Sequence, residues 1–250
     1  MGTRDVCLRI YWALRDVIAP ELVSSQEAYA AVVRSLVNKH VKWLDLGCGH
    51  QALADWHAGD EQHLVTTCET VVGLDGDLRS LAKHRSIRLR VGGDISRLPF
   101  KDECFELVTL NMVLEHLQTP SVSFAEIARI LKTGGTCIVL TPNAYAYTTL
   151  LARSVPATAK RRAVRFLEGR KAGDVFPAYY RANTPRRVRQ LLEASSLVVV
   201  KIAMLTTDAV FAVVPPLAAL ELLWIRMLMT APFRGLRPNM LAVLRKSASA

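Results

Sequence analysis

Residues 41–50 read VKWLDLGCGH, a short apolar run that carries one carboxylate and ends in two glycines. Because its apolar residues are continuous rather than alternating, the run predicts a strand buried on both faces, as in a parallel sheet covered by helices. Gly47 and Gly49 would let a ligand approach the backbone amides of the turn after this strand. The stretch therefore predicts an α/β fold with a ligand-binding turn.

Further apolar runs alternate with helical patterns along the chain. Strands are predicted near residues 71–75, 87–92, 105–112, 136–142, 197–204 and 239–246, and helices over residues 24–38, 121–131 and 184–195. We expect a single domain over residues 1–250. Its parts would be an N-terminal helical segment (1–39), a cofactor-binding core (40–143), a basic substrate-side insertion with a helix (144–196), and the last two strands with an apolar helical insertion (197–250).

The net charge of +10 is concentrated in one segment. Residues 151–190 contain eleven Lys or Arg against Glu168 and Asp174, which predicts either an acidic partner or a solvated basic face. The five scattered cysteines form no Cys-x-x-Cys pair, as in proteins of the reducing cytoplasm. Charged residues interrupt the N-terminus, so we expect no signal peptide, and the most apolar stretch, 209–220, is shorter than a spanning helix.

Carboxylates stand at the ends of successive predicted strands. Asp75 ends the second strand, where it would bind ribose hydroxyls, so the pattern predicts a nucleoside cofactor. Gly47, Gly49 and Ala52 also match the dinucleotide fingerprint, which keeps an NAD(P)-dependent oxidoreductase as an alternative. Asp45 favours an amino-acid-containing ligand instead, because a carboxylate before the turn would repel a pyrophosphate.

Three later stretches extend the pattern: residues 98–108, residues 111–117 and residues 126–135. Together with the strand ends, they resemble the small-molecule branch of the class I S-adenosylmethionine (SAM)-dependent methyltransferases, from about Val41 to Asn143. Gln51 departs from that family's pattern, which has a third glycine there. The resemblance implies a Rossmann-like, doubly wound, seven-stranded sheet of order 3-2-1-4-5-7-6, parallel except for an antiparallel last strand.

The same resemblance implies SAM as cofactor and S-adenosyl-L-homocysteine as product. The Gly47–Gly49 turn with Asp45 would hold the methionine moiety, Asp75 the ribose and Asp94 the adenine. The backbone around Met112 would close the site. The full cofactor-binding set is Asp45, Gly47, Cys48, Gly49, Asp75, Gly76, Asp94, Ile95, Asn111 and Met112.

Methyl transfer is an in-line displacement that needs alignment and, for some nucleophiles, a base. His116, which follows the fourth strand, is the candidate general base. Alternatively, His116 is a helix residue that only lines the cofactor pocket. The acceptor-site candidates are Tyr145, Tyr179, Tyr180 and Arg181. We expect a small-molecule or lipid-like acceptor, with an acidic group.

Nucleic acid is disfavoured as a partner, because residues 111–114 lack the Asp/Asn-Pro-Pro-Tyr run of amino-methylating enzymes. A metal is not expected, since the spacing of His50, His57, His63 and Cys68 matches no regular zinc pattern. The apolar stretch 210–229 predicts either ordinary core or an amphipathic element at an anionic membrane surface. A cytoplasmic location, with or without membrane association, is expected, and a non-catalytic SAM-binding protein is a further alternative.

Overall fold

The structure, a computed structural model, describes residues 2–154, 176–193 and 195–248. The chain forms two compact units, which are treated separately below. The sheet unit contains Gln26–Thr141, Ala178–Ala203 and Met240–Ala250, and the helical unit contains Met1–Ser25, Pro142–Pro177 and Met204–Asn239. The division of the chain into a single domain with four parts stays a prediction.

A seven-stranded mixed sheet has the order β3-β2-β1-β4-β5-β7-β6, which confirms the predicted fold class. Neighbouring strands from β3 through β5 pair in parallel. The strands are β1 (Lys42–Leu46), β2 (Thr70–Asp75), β3 (Leu89–Gly92), β4 (Phe105–Asn111), β5 (Leu131–Pro142), β6 (Leu197–Leu205) and β7 (Asn239–Lys246).

The helices of the described residues are numbered here in chain order. They are α1 (Thr3–Ile18), α2 (Ser25–Leu36), α3 (Ala58–Thr67), α4 (Leu78–Leu81), α5 (Pro120–Ile130), α6 (Tyr147–Ser154), α7 (Pro185–Leu192) and α8 (Pro215–Leu228). Short 3-10 turns occupy Asp55–His57, Leu114–His116 and Arg234–Leu236. The apolar stretch 210–229 therefore contains a helix, α8, while the basic cluster of residues 160–171 lies outside the described residues.

The core of the sheet unit follows from the continuous apolarity of its central strands. Trp43, Leu44 and Leu46 of β1 are fully buried, as are Leu107 and Leu110 of β4. Because β1, β2 and β4 run in parallel and in register, their carboxyl ends meet at one edge of the sheet. That edge carries the predicted cofactor residues, and ligands of open α/β sheets bind at such edges.

Several predicted boundaries are wrong, and each error has a local cause. Strand β3 begins at Leu89 rather than Ile87, because the Ile87 amide donates to His84 Nδ1 (3.1 Å). Helix α5 ends at Ile130 rather than Leu131, because Leu131 already pairs with Phe105 in the sheet. Residues 132–135, predicted as a turn before β5, form an irregularity within it.

Three other elements end earlier than the sequence predicts, and the first is α2, which ends at Leu36 rather than Asn38. Strand β4 ends at Asn111, because Met112 adopts a left-handed backbone conformation (φ 57°) that a strand cannot continue through. Helix α7 begins after Thr184, whose hydroxyl accepts from the Arg187 amide, and ends at Leu192 instead of reaching Ser195.

The turn after β1 is tied to the end of β2. The amides of Gly47 and Cys48 both donate to the Leu74 carbonyl, at 2.7 and 3.3 Å. Gly47 (φ 67°) and Gly49 (φ 53°) both have left-handed backbone conformations. A Cβ at Gly47 would lie 2.5 Å from Val113 Cγ2, whereas a Cβ at Gly49 would have no atom within 4 Å. The first glycine is required by packing, and the second leaves open space above the turn.

Gly47→Ala should therefore destabilise the protein more than Gly49→Ala. We expect Gly49→Ala to lower the free energy of unfolding by about 1 kcal/mol, the cost of a left-handed alanine, and Gly47→Ala by about 3 kcal/mol through the added clash. Denaturant unfolding measures both values. Val113→Ala should recover part of the loss in the Gly47→Ala background only; an equal effect in both backgrounds would contradict the assigned clash.

A buried histidine sets a second expectation. His84 Nδ1 accepts from the Ser86 amide (3.3 Å) and the Ile87 amide (3.1 Å), so the ring must be neutral to hold this turn. Burial, with further effects of Arg90 and Arg85, lowers the pKa of His84 from 6.5 to about 4. Between these two pH values His84 is protonated in the unfolded chain but not in the folded protein. The free energy of unfolding therefore decreases as the pH falls from 6.5 towards 4.

His84→Asn should flatten the pH dependence of stability in that window. The asparagine carbonyl can accept from the same amides, but it does not titrate. Thermal or denaturant unfolding at a series of pH values measures the slope for each protein. The exposed His63, changed to Asn, is the matched control. A slope that His84→Asn and His63→Asn alter equally would sink the assignment.

Candidate functional site

Asp75 lies at the centre of the edge where β1 and β2 end. Its Oδ2 accepts from the Gly49 amide and its Oδ1 accepts from the Asp77 amide, both at 2.7 Å. The side chain is only half-buried, so each carboxylate oxygen keeps a lone pair that a ligand can reach. The structure thus places the predicted ribose carboxylate directly beside the glycine turn.

Asp45 lies beneath this turn and not on its surface. The residue is 2% exposed, and its carboxylate accepts from Thr109 Oγ1 at 2.6 Å. The same hydroxyl accepts from Trp43 Nε1, also at 2.6 Å. Burial raises the pKa of Asp45 well above its ordinary value. Asp45 is therefore placed to support the turn from below, through β4.

Cys48 turns its side chain inward. The thiol is buried, and a Cβ added at Gly73 would come within 2.7 Å of its sulfur, so the two residues pack directly against each other. Burial raises the pKa of the Cys48 thiol. Only the backbone of Cys48 is thus available to a ligand at the turn.

The ends of β2 and β3 approach each other through glycines. A Cβ at Gly76 would lie 3.7 Å from the Gly93 carbonyl oxygen, which brings the predicted ribose and adenine residues to the same edge. Asp94 is exposed, and its Oδ1 accepts from the Ser96 amide at 2.8 Å. Ile95 is buried beside it.

The end of β4 is held from both sides. The Asn111 side chain exchanges two hydrogen bonds with the Gln26 side chain, at 3.0 and 3.1 Å. The Met112 amide donates to the Leu140 carbonyl at 2.8 Å, which supports its left-handed backbone. Gln26 and Leu140 therefore hold Asn111 and Met112, the two residues that were predicted to close the cofactor site.

His116 ends the 3-10 turn that follows β4. Its Nε2 lies 3.8 Å from Glu115 Oε1, and its ring is half-buried. The Glu115 carboxylate is buried and accepts from Thr141 Oγ1 at 3.0 Å. Burial raises the pKa of Glu115. A buried carboxylate thus stands directly beside the candidate base.

The structure brings three of the four predicted acceptor residues to the same place. The Tyr179 and Tyr180 amides both donate to the Glu115 carbonyl, at 2.7 and 3.1 Å. The Arg181 guanidinium lies over the Tyr179 ring, 5.5 Å from its centroid, and donates to the Gln118 carbonyl at 2.6 Å. An aromatic ring and a cation therefore lie together beside the 3-10 turn that bears His116.

Tyr145 is the fourth acceptor candidate. It belongs to the helical unit, where it is 66% exposed and its amide donates to Asn143 Oδ1 at 3.2 Å. Its contact with an acceptor stays a prediction. Among the described residues, no group of three or more His, Cys, Asp or Glu side chains could hold a metal ion.

Three residues of the site escaped the sequence analysis as candidates: Glu115, Thr109 and Gln26. Glu115 directly precedes His116, and that adjacency was the one signal available. Thr109 and Gln26 act across 64 and 85 positions of the chain, through pairing of β1 with β4 and through the position of α2. Such contacts leave no local pattern in the sequence.

Comparison with known proteins agrees with this geometry. Residues 44–139 match a family model described as a methyltransferase domain. A demethylmenaquinone methyltransferase of Lactiplantibacillus plantarum is 34% identical over 112 residues, which cover 41% of this chain and 45% of that protein. The chain thus matches less than half of this relative's length.

Solved structures share the fold over almost the whole chain. A SAM-dependent methyltransferase from Mesorhizobium loti has a TM-score of 0.55 at 16% identity, covering 86% of this chain and 96% of that one. The [4+2]-cyclase SpnF has a TM-score of 0.55 at 14% identity, covering 100% and 98%.

The sheet order, the turn at Gly47–Gly49 and the matched family model agree with one another. Residues 44–139 match a methyltransferase domain, and the chain has the fold of the class I SAM-dependent methyltransferases.

Proposed function

We propose that this protein is an enzyme that transfers a methyl group from SAM to a small, lipid-like acceptor with an acidic group. The observation that carries the proposal is the position of Asp75. Its carboxylate is anchored by the Gly49 amide, at the sheet edge where a nucleoside cofactor binds in this fold. The match of residues 44–139 to a methyltransferase domain supports SAM as that cofactor.

The residues present fit the cofactor. Above Gly49 a Cβ would meet no atom within 4 Å, so the backbone there is open to the methionine moiety. We assign the ribose hydroxyls to Asp75, the adenine to Asp94 and Ile95, and closure of the site to Asn111 and Met112. Cys48 would contribute backbone alone. Asp45 would serve the methionine moiety through Oδ2, since Thr109 occupies its Oδ1.

Catalysis in this proposal depends mainly on alignment. SAM supplies a methyl group on a sulfonium, which is activated without help from the protein. The chain's own task is to orient the acceptor and exclude water, which lowers the barrier by fixing the reacting geometry. His116 would accept a proton from an acceptor hydroxyl, amine or activated carbon. Glu115, whose Oε1 lies 3.8 Å from His116 Nε2, would position the ring.

The nature of the acceptor rests on two further observations. The curated relative named above acts, by its name, on demethylmenaquinone, a lipid-like quinone. In this chain, the exposed Tyr179 ring and the Arg181 guanidinium would contact an aromatic or acidic acceptor. We propose that such an acceptor is met at an anionic membrane surface. No helix in the described ranges is long and apolar enough to span a membrane.

Asp75→Ala should abolish most SAM binding. The loss of two charge-assisted hydrogen bonds to the ribose predicts at least about a hundredfold weaker affinity, measured by titration calorimetry. Asp77→Asn is the matched control, because Asp77 caps α4 through the Arg79 amide and the Ser80 hydroxyl, and Asn can keep that cap. Full SAM affinity in Asp75→Ala, or affinity for NADH in place of SAM in the wild type, would refute the assignment.

His116→Gln should slow methyl transfer while leaving SAM affinity unchanged. Loss of a general base predicts a fall in turnover of about a hundredfold or more. His63→Gln, at an exposed position on α3, is the control. If both variants turn over at the wild-type rate, His116 lines the pocket and is not a base.

The activity itself is tested with label. Protein and methyl-labelled SAM are incubated with lipid and aqueous fractions of a bacterial extract, and labelled products are identified by mass spectrometry. We expect label in a lipid-fraction product, and none with Asp75→Ala. SAM binding without any labelled product would favour a non-catalytic SAM-binding protein, and label in nucleic acid would contradict the proposed acceptor class.

A further inference from the structure

Helix α8 exposes an apolar face, and only the Trp224 ring at its edge has a ring contact among the described residues of the helical unit. Leu217, Leu220, Leu223 and Trp224 are exposed, with Leu220 at 65% and Leu223 at 54%. Their spacing of three and four positions puts them on one side of the helix. The opposite side is used in the core, where Leu222 and Ile225 are fully buried. One face therefore holds the unit together while the other meets the surroundings.

The buried side of α8 is firmly attached to the rest of the helical unit. Leu222 and Ile225 share a cluster with Tyr11 of α1. The Glu221 carboxylate accepts from the Tyr147 hydroxyl (2.6 Å) and from the Val210 amide (3.0 Å). These hydrogen bonds pair the buried Glu221 carboxylate with groups of the helical unit, and they fix which side of α8 faces outward.

From α8 to the end of the described chain, the charged residues after Glu221 are all basic. Glu221 is the only acidic residue of α8, and it is buried. No Asp or Glu follows it in residues 222–250, whereas Arg226, Arg234 and Arg237 occur within the next sixteen positions. Arg226 is exposed one turn after Leu223, and its guanidinium donates to the Ile18 carbonyl at 3.0 Å, which holds it in place. The face is thus leucine-rich, with the exposed Arg226 on the same helix.

Helix α1 shows the contrast. It also exposes apolar side chains, including Val6, Ile10 and Val17. Its exposed charges, however, have both signs, with Arg9 beside Asp5 and Asp16. Charges of both signs give α1 no net attraction to a charged surface, and in this respect α1 differs from α8.

We propose that the exposed face of α8 docks on an anionic lipid bilayer, with its leucines at the boundary of headgroups and acyl chains. A helix of 14 residues is too short to span the bilayer but suited to lie in its interface. Trp224 supports this placement, because tryptophan favours the headgroup level. Its ring packs against the Tyr147 ring at 6.3 Å, which holds it at the edge of the face.

A second copy of this chain fits the face less well. A two-fold contact would bring the Arg226 side chains of both copies to the same interface, and like charges repel. Four side chains also fall short of the ~800 Å² per partner that stable dimers bury. Phospholipid headgroups, in contrast, carry negative charge that complements the exposed Arg226 and Arg234.

This inference deepens the proposed function, since a lipid-like acceptor resides in a membrane, yet it is tested without acceptor or cofactor. Full-length protein is sedimented with vesicles of phosphatidylcholine containing phosphatidylglycerol, and with vesicles of phosphatidylcholine alone. We expect binding to the first, weaker binding to the second, and partial loss at high salt.

Leu220→Glu/Leu223→Glu should weaken vesicle binding by at least about tenfold, because two leucines leave the interface. The matched control is Val198→Glu/Val200→Glu, which adds the same charge at exposed positions of β6. Leu220→Gln/Leu223→Gln removes the apolar area without adding charge and should also weaken binding. Unfolding midpoints and SAM affinities show whether each variant is folded.

Several results would overturn the inference. These are no vesicle binding by the wild type, equal loss in the β6 control, or wild-type binding by the α8 variants. A dimer in size-exclusion chromatography that the α8 variants convert to monomer would assign the face to a second copy. Loss of vesicle binding with normal SAM affinity and methyl transfer would leave the proposed activity intact, so the two failures are distinguishable.

Discussion

The hydrogen bond from the Gly49 amide to the Asp75 carboxylate is the contact on which the site depends. It joins the turn after β1 to the end of β2, where the Leu74 carbonyl already holds Gly47 and Cys48. A carboxylate at this edge must bind the ligand and still be anchored to the protein. The Gly49 amide anchors it through one lone pair, and further lone pairs of the carboxylate stay free for the ligand. Gly47 and Gly49 have left-handed backbone conformations, which glycine adopts without a steric penalty.

Buried hydrogen bonds made by two threonines hold polar side chains in place near the site. The Thr109 hydroxyl lies between the Asp45 carboxylate and the Trp43 indole, and it connects β4 to β1 across the sheet. Thr141 occupies a similar position between the Glu115 carboxylate and the Asn183 side chain. Buried carboxylates are costly unless hydrogen-bonded, so these threonines keep two acidic side chains in place near the cofactor and acceptor positions.

The sequence predicted the elements well where periodicity is strong and poorly where tertiary contacts decide. Strand β7 occupies the predicted residues, and the sheet order implied by the family resemblance is confirmed. Ile87 has the apolar character of a strand residue but lies in a turn, because His84 takes its amide. Leu131 reads as helix, yet its pairing with Phe105 places it in β5. In both cases a contact with another residue, His84 for Ile87 and Phe105 for Leu131, outweighs the secondary-structure preference of the local sequence.

By itself, the sequence determined the α/β class, the glycine turn and the order of acidic residues at the strand ends, because strand burial and backbone freedom are encoded locally. Only the tertiary structure decided which of those acids is exposed. Asp45 and Asp75 look alike in the sequence, but pairing of β1 with β4 buries the first against Thr109 and leaves the second at the open edge. The tertiary structure likewise joined Tyr179 and Arg181 to the chain around His116. The Tyr179 amide binds the Glu115 carbonyl and the Arg181 guanidinium binds the Gln118 carbonyl, and such contacts between residues more than sixty positions apart form only when the chain folds.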